Sequence, residues 1–182
     1  MPGFAKRAER EVHRGHVIST AVGTFVAPDG SEFDRDIVHH PGAVSVVPLH
    51  DDGTVILVKQ YRAAIDADLL EIPAGKRDVE GEDPQVTAAR ELAEEVGMTA
   101  ATLELLAEFY NSPGFCDEHS FVYLARGLVA TAMSRDGVEE QSMEIVHVAL
   151  DDVPRMIAAA EITDAKTIIG LAMTRERLGR VP

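Results

Sequence analysis

The stretch AGKRDVEGEDPQVTAARELAEEVGM, from Ala74 to Met98, decides how this chain is read. An α-helix completes a turn in about 3.6 residues, so Arg90 lies one turn before Glu94 and Glu91 one turn before Glu95. Glu91, Glu94 and Glu95 therefore crowd one edge of a helix, beside apolar Leu92 and Val96. Like charges at this spacing destabilise a helix by roughly 0.2–0.5 kcal/mol per pair, so such an edge needs counter-charge. Arg90 can supply part of it by pairing with Glu82 or Glu94. A hard divalent cation can supply the rest: Mg²⁺ is held by one or two carboxylates together with substrate phosphates, and Mn²⁺ accepts the same oxygen donors. The helix ends are also written in the sequence. Asp83 predicts the N-cap, Pro84 the first helical position, and Gly97 the left-handed C-terminal stop.

Around this helix, strand-like segments alternate with turns. Residues 11 to 27 are expected to form one strand leading into the Pro28-Asp29-Gly30 turn, with Glu32 to His40 returning from it as an N-terminal hairpin. Ala43 to Leu49 and Val55 to Gln60 follow as stronger strands joined across Asp51-Asp52-Gly53. Leu69 to Pro73, Leu103 to Tyr110, Phe121 to Leu128 and Glu144 to Leu150 read as further strands. Helices are expected over Asp151 to Ala160 and from Asp164 to about Leu178. A mixed sheet flanked by helices, of the α/β class, is compatible with this order, although periodicity alone does not fix its topology.

Composition narrows the function classes. The chain has 182 residues, 46% of them hydrophobic, enough for one substantial core, and no repeat or low-complexity linker divides it. A net charge of −14 argues against nucleic acid as a partner. An acidic chain acting on a polyphosphate must recruit metal. The single cysteine, Cys116, has no internal disulfide partner, and no apolar run reaches the roughly 18 residues of a membrane span. The N-terminus, MPGFAKRAEREVHRG, lacks the apolar core of a signal peptide, so a cytoplasmic protein with no membrane partner is expected.

The Ala74 to Met98 string resembles the Nudix box: Gly, five residues, Glu, seven residues, Arg-Glu, an aliphatic residue, any residue, Glu-Glu, any residue, Gly, an aliphatic residue. Glu82, Arg90, Glu91, Leu92, Glu94, Glu95, Gly97 and Met98 fall in register. Gly75 is separated from Glu82 by six residues rather than five, an insertion confined to the loop. Pro113, sixteen residues beyond Gly97, resembles the proline that marks the ADP-ribose pyrophosphatase branch of that family. HHPGAVSVV, VKQYR, LLEIPAG and EITDAKTIIGLAM are similar to the same branch, so the likeness runs from about Ile37 to Met173.

The resemblance implies a Nudix-type α/β/α sandwich over residues 41–182, with residues 1–40 as an N-terminal strand extension. It implies metal binding by Glu91 and Glu95, with the Ala74 carbonyl as a further ligand, Glu94 as a neighbour or additional ligand and Glu82 as a supporting acid; the cofactor would be Mg²⁺, with Mn²⁺ as a substitute. It gives Arg62 to a substrate phosphate, Glu118 to a ribose hydroxyl and Arg35 to the adenine end. The catalytic base in this branch comes from an acidic loop before the last strand, here RDGVEEQSMEIVHVAL. Counting back from Val146-His147-Val148 places Glu140 at that position, with Glu139 as second choice. Ser142 stands where some relatives place another acidic ligand.

The activity implied is hydrolysis of the diphosphate of ADP-ribose to AMP and ribose 5-phosphate. The alternatives are another nucleoside diphosphate sugar as substrate, or a non-catalytic sensor of such ligands. Relatives in this branch commonly form homodimers that exchange N-terminal strands, and the alternating apolar positions of HVISTAVGTFV are compatible with residues 11 to 40 packing on a partner and completing its adenine pocket.

Overall fold

The computed structural model describes residues 3–135 and 138–180, apart from the side chains of residues 138 and 139. Two compact units emerge, one of Met1–Gly42 with Phe109–His119, the other of Ala43–Glu108 with Ser120–Pro182. The N-terminal unit is thus built from more than the first forty residues.

That unit is an antiparallel meander of β1 (Ala5–Arg14), β2 (Ser19–Val26) and β3 (Glu32–His39), in the order β1-β2-β3. The strand expected over residues 11 to 27 is therefore two strands. The chain turns between Arg14 and Ser19, where the Gly15 N–H donates to the Ile18 carbonyl at 2.8 Å. All ten residues of β1 are exposed, so AKRAEREVHR carries no alternation that could mark it as a strand. Pairing with β2 supplies what the side chains do not. The 109–119 segment docks on β3: the Val38 N–H donates to the Phe115 carbonyl at 2.7 Å, and the Asp117 N–H to the Val38 carbonyl at 3.1 Å. His39 ties the pieces together, its Nδ1 2.5 Å from Asp117 and its Nε2 2.9 Å from Glu9.

The second unit contains β4 (Ala43–Pro48), β5 (Thr54–Arg62), β6 (Ala67–Glu71), β7 (Ala74–Lys76), α1 (Pro84–Val96) and most of β8 (Met98–Tyr110) and β9 (His119–Ala130). After α2 (Val138–Gln141) come β10 (Glu144–Ala149), a 3₁₀ turn over Leu150–Asp152, α3 (Val153–Ala158) and α4 (Ala165–Arg177). One sheet has the order β7-β4-β9-β8 and is mixed: β4 runs parallel to β9 and antiparallel to β7. The other, β10-β5-β6, is antiparallel.

Alternation along β4 explains the layering. Val44 and Val46 join Tyr123 and Ala125 of β9 in a core closed by Ala88, Leu92 and Val96 of α1. On the other face, a Cβ at Gly170 of α4 would lie 3.0 Å from methyls of Val47 and Val122 and 3.1 Å from Ile72, so only glycine lets this helix approach so closely. A strand covered on both faces reads as a continuous apolar run, which AVSVVP nearly is. The α/β/α arrangement follows. No helix among the described residues is long and apolar enough to cross a membrane.

Asp117, opposed by partial burial and helped by Glu9, holds the His39 pKa above its ordinary 6.5. The folded state then binds the imidazole proton more tightly than the unfolded chain. This contribution to stability is full below the ordinary value and is lost as pH rises through the raised one. Thermal melts should show a wider gap between the wild type and His39→Gln at about pH 5.5 than at about pH 8.5; equal gaps would show that the contact adds nothing.

Candidate active site

Helix α1 begins as its sequence dictates. Asp83 accepts a hydrogen bond from the Gln85 N–H at 2.8 Å, Pro84 opens the first turn, and Gly97 closes the helix at φ 63° and ψ 39°. Ala88, Leu92 and Val96 form a stripe four residues apart that locks its rotation against β4. That rotation sends Glu95 inward, to 4% exposure, and leaves Glu91 at the border with its side chain 12% exposed.

Both carboxylates meet the backbone of β7. The Ala74 N–H donates to Glu95 Oε2 at 3.0 Å. A Cβ at Gly75 would overlap the Glu91 carboxyl group, so glycine here makes room for the acid. Arg90 turns the other way, Nη1 lying 2.9 Å from Glu91 and 3.0 Å from Glu94, with Nη2 3.7 Å from Glu82. Glu82 also accepts from the Thr87 hydroxyl at 2.7 Å. Glu94 is thus drawn into an ion pair at the more exposed edge, while Glu91 and Glu95 face β7.

The pair has little counter-charge: Arg90 is shared between Glu91 and Glu94, and Arg62 acts on Glu95 only through its charge. Burial pushes the Glu95 pKa up to about 8; the Ala74 N–H opposes this, and the charges of Glu91 and Glu140 add to it. Burial likewise pushes Glu91 up to about 7, against the pull of Arg90 and with the repulsion of Glu94 and Glu140. Glu140, half-buried on α2, is close enough to act on both. Among the described residues no three His, Cys, Asp or Glu side chains are gathered as a ready-made metal cage. A buried and a half-buried carboxylate short of positive charge are a donor set that suits a hard divalent cation, which draws its remaining ligands from water and phosphate. The residues present fit that cation.

Arg62 at the end of β5 lies near enough to Glu95 for their charges to interact. It is held by Glu71, which accepts from Nε and Nη2 at 2.6 Å each and is 1% exposed. Lys166 of α4 also pairs with Glu71 and lies 3.0 Å from Asp164, the N-cap of α4. Sequence reasoning missed Glu71 and Lys166, although both lie inside LLEIPAG and EITDAKTIIGLAM. It also missed Arg135, whose guanidinium donates to the Glu95 carbonyl from Nε and Nη2 at 2.9 and 2.7 Å.

The other expected substrate-binding residues belong to the N-terminal unit. Arg35 and Pro113 line a cavity of about 350 Å³ within the N-terminal unit, together with Phe25, Tyr110, Phe115, Cys116 and Asp117. Arg35 stacks over Phe33, 4.5 Å from the ring centre, and donates to the Asp34 carbonyl. Glu118 is half-buried beside this segment, its carbonyl accepting from the Asn111 N–H at 3.3 Å, and does not line the cavity. Ser142 is exposed just beyond α2, and the side chain of Glu139 lies outside the described residues.

Comparison with known proteins identifies the family. The family model described as the NUDIX domain matches residues 39–168. The chain belongs to the Nudix family. One relative, "ADP-ribose pyrophosphatase" of Bacillus subtilis (strain 168), is 41% identical over 160 residues, 88% of this chain and 86% of its own. Another, "Methanol dehydrogenase activator" of Bacillus methanolicus, is 37% identical over 88% of this chain and 86% of its own. Among solved structures, one titled "Crystal structure of ADP compounds hydrolase" superposes with a TM-score of 0.85 over 98% of this chain and 97% of that one. Its sequence identity is 22%, so the likeness is one of fold. The Nudix helix in this chain is α1, and the Nudix loop is the segment before it with one additional residue.

Because the group that a Gly75 side chain would strike is the flexible end of Glu91, Gly75→Ala should displace that carboxylate at little cost to folding. Its melting temperature should stay near the wild-type value, while Mn²⁺ affinity by calorimetry falls roughly tenfold or more; unchanged affinity would count against Glu91 as a ligand. The raised carboxyl values give a second expectation. Deprotonating Glu91 and Glu95 costs the metal-free fold stability as pH rises through about 7 and about 8. Added Mg²⁺ should therefore raise the melting temperature more at about pH 8.5 than at about pH 6, and this difference should vanish in Glu95→Gln.

Proposed function

We propose that this Nudix protein hydrolyses the diphosphate bond of ADP-ribose, giving AMP and ribose 5-phosphate. The observation that carries the reading is the Glu91–Glu95 pair, one buried and one half-buried, held against the β7 backbone without a cation of its own. The family match and the name of the 41% identical relative point to the same chemistry.

Glu91 and Glu95 would hold Mg²⁺, assisted by the Ala74 carbonyl and by Glu94 on release from Arg90; Mn²⁺ suits the same oxygens. When bound, the cation supplies Lewis acidity and neutralises charge on the diphosphate oxygens. Arg62, oriented by Glu71, adds a second positive group for a phosphate. Glu140 takes the proton of the water that attacks one phosphorus, and the bond from that phosphorus to the bridging oxygen breaks. Glu139, next in the chain, is the alternative base. The repulsion of Glu140 on both metal-binding acids supports its nearness to them. The cavity lined by Arg35, Tyr110 and Pro113 has aromatic and cationic walls that suit an adenine ring, and Glu118 is the proposed partner of a ribose hydroxyl.

The proposed setting is a cytoplasmic homodimer. Exposed Phe4 and Val12, at 68% and 56%, and the fully exposed β1 support a role for the N-terminal unit in pairing. The net charge of −14 supports a small-molecule substrate rather than nucleic acid.

Purified protein incubated with Mg²⁺ and ADP-ribose, in parallel with ADP-glucose and GDP-mannose, should release AMP and ribose 5-phosphate from ADP-ribose with the highest kcat/KM. Glu140→Gln should lower kcat by about 10²–10⁴-fold, and Glu95→Gln should abolish turnover. A preference for another sugar nucleotide would keep the chemistry and reject the substrate. Binding without cleavage under Mg²⁺ or Mn²⁺ would make the chain a sensor.

A further inference from the structure

Gly97 closes helix α1 and satisfies the Ala93 carbonyl, but the carbonyls of Glu94 and Glu95 find their donors outside the helix. Its last turn carries Glu94 and Glu95, carboxylates at the negative end of the helix dipole, and contains no basic residue. The carbonyls left over at such an end need donors. Here the segment from Thr131 to Arg135, which follows β9, supplies them. The Thr131 N–H donates to the Gly97 carbonyl at 2.8 Å, the Ser134 N–H to the Glu94 carbonyl at 3.2 Å, and Arg135 makes its two-pronged contact with the Glu95 carbonyl.

The same guanidinium reaches a second element. Arg135 Nη1 donates to the Met143 carbonyl at 2.8 Å, and the Met143 N–H in turn donates to the Glu140 carbonyl at 3.1 Å. A single planar cation thus joins the backbone that carries Glu95 to the backbone that carries Glu140. We propose that Arg135 is a positioning residue that fixes the Glu140 segment against the metal-binding end of α1. The role rests on the reading of Glu140 as the catalytic base. Arginine suits it because its rigid fork holds two carbonyls at fixed separation while its charge offsets the helix terminus. The Met143 side chain, 5% exposed and packed with Leu92 and Val96, anchors the segment independently, so loss of Arg135 loosens the segment without unfolding it.

The test combines a double-mutant cycle with hydrogen exchange on the Mg²⁺-loaded full chain. Arg135→Ala should lower kcat by about 10- to 100-fold, as expected for misplacement of a reacting group, with KM changed less than about twofold. Arg135→Lys should recover part of the loss and guards against a poorly folding alanine variant. In the Glu140→Gln background, Arg135→Ala should cost less than about twofold more, because the group it positions is already gone. Amides of residues 140–145 should exchange faster in Arg135→Ala while those of β4 stay unchanged. Losses that multiply in the cycle, an unchanged kcat, or unchanged exchange at 140–145 would overturn the proposal. Faster exchange in Arg135→Ala with full activity in Glu140→Gln would reject Glu140 as the base and yet support the clamp.

Discussion

Two carboxylates from one helix edge are buried against the backbone of a three-residue strand, and most of the second unit is arranged around that cost. Glu95 receives one hydrogen bond from Ala74, Glu91 occupies space that any side chain at position 75 would fill, and neither has a cation to itself. Buried acids in such surroundings favour the protonated form. The fold tolerates them because Ala88, Leu92 and Val96 on the same helix contribute apolar burial, and because Arg90 bridges Glu91 and Glu94 and offsets part of their charge.

Two further positive charges are committed to another acid. Arg62 and Lys166 converge on Glu71, and Asp164 holds Lys166 while capping α4 through the Thr167 N–H at 2.9 Å. The Thr167 hydroxyl accepts from the Ile72 N–H at 2.9 Å, so this network fixes both the strand end before β7 and the start of α4. A buried ionic network of this kind adds little net stability compared with apolar packing, but it specifies which elements meet and at what register. In this chain it specifies the approach to Ala74 and Gly75.

The sequence was legible where local signals decide structure. Asp83, Pro84 and Gly97 mark the limits of α1 because capping is a matter of a few neighbouring residues. The apolar run from Ala43 marks a strand buried on both faces. Strand β1 was not legible, since its charged, fully exposed residues owe their conformation to β2 rather than to their own pattern. The partners of Arg62 and Arg135 were hidden for a related reason. Glu71 is separated from Lys166 by ninety-five residues and Arg135 from Glu95 by forty, and a single sequence carries no trace of contacts made at such distances. Arg62 and Glu71 are only nine residues apart, but the β5–β6 pairing that brings them together is not marked by either residue's own neighbours.

The parallel pairing of β4 with β9 bears on how the chain reaches its folded state. Ala43 opposes Ser120, so everything from β5 through β8, including α1, lies within the loop that this pairing closes. Closing a loop of that length is entropically costly and gives no reward until both strands are present. On the ribosome, helix α1 emerges before β9, so the core that joins Leu92 and Val96 to Tyr123 and Ala125 closes only after β9 has cleared the exit tunnel. During that interval the nascent chain carries Glu91 and Glu95 in water, fully hydrated and ionised.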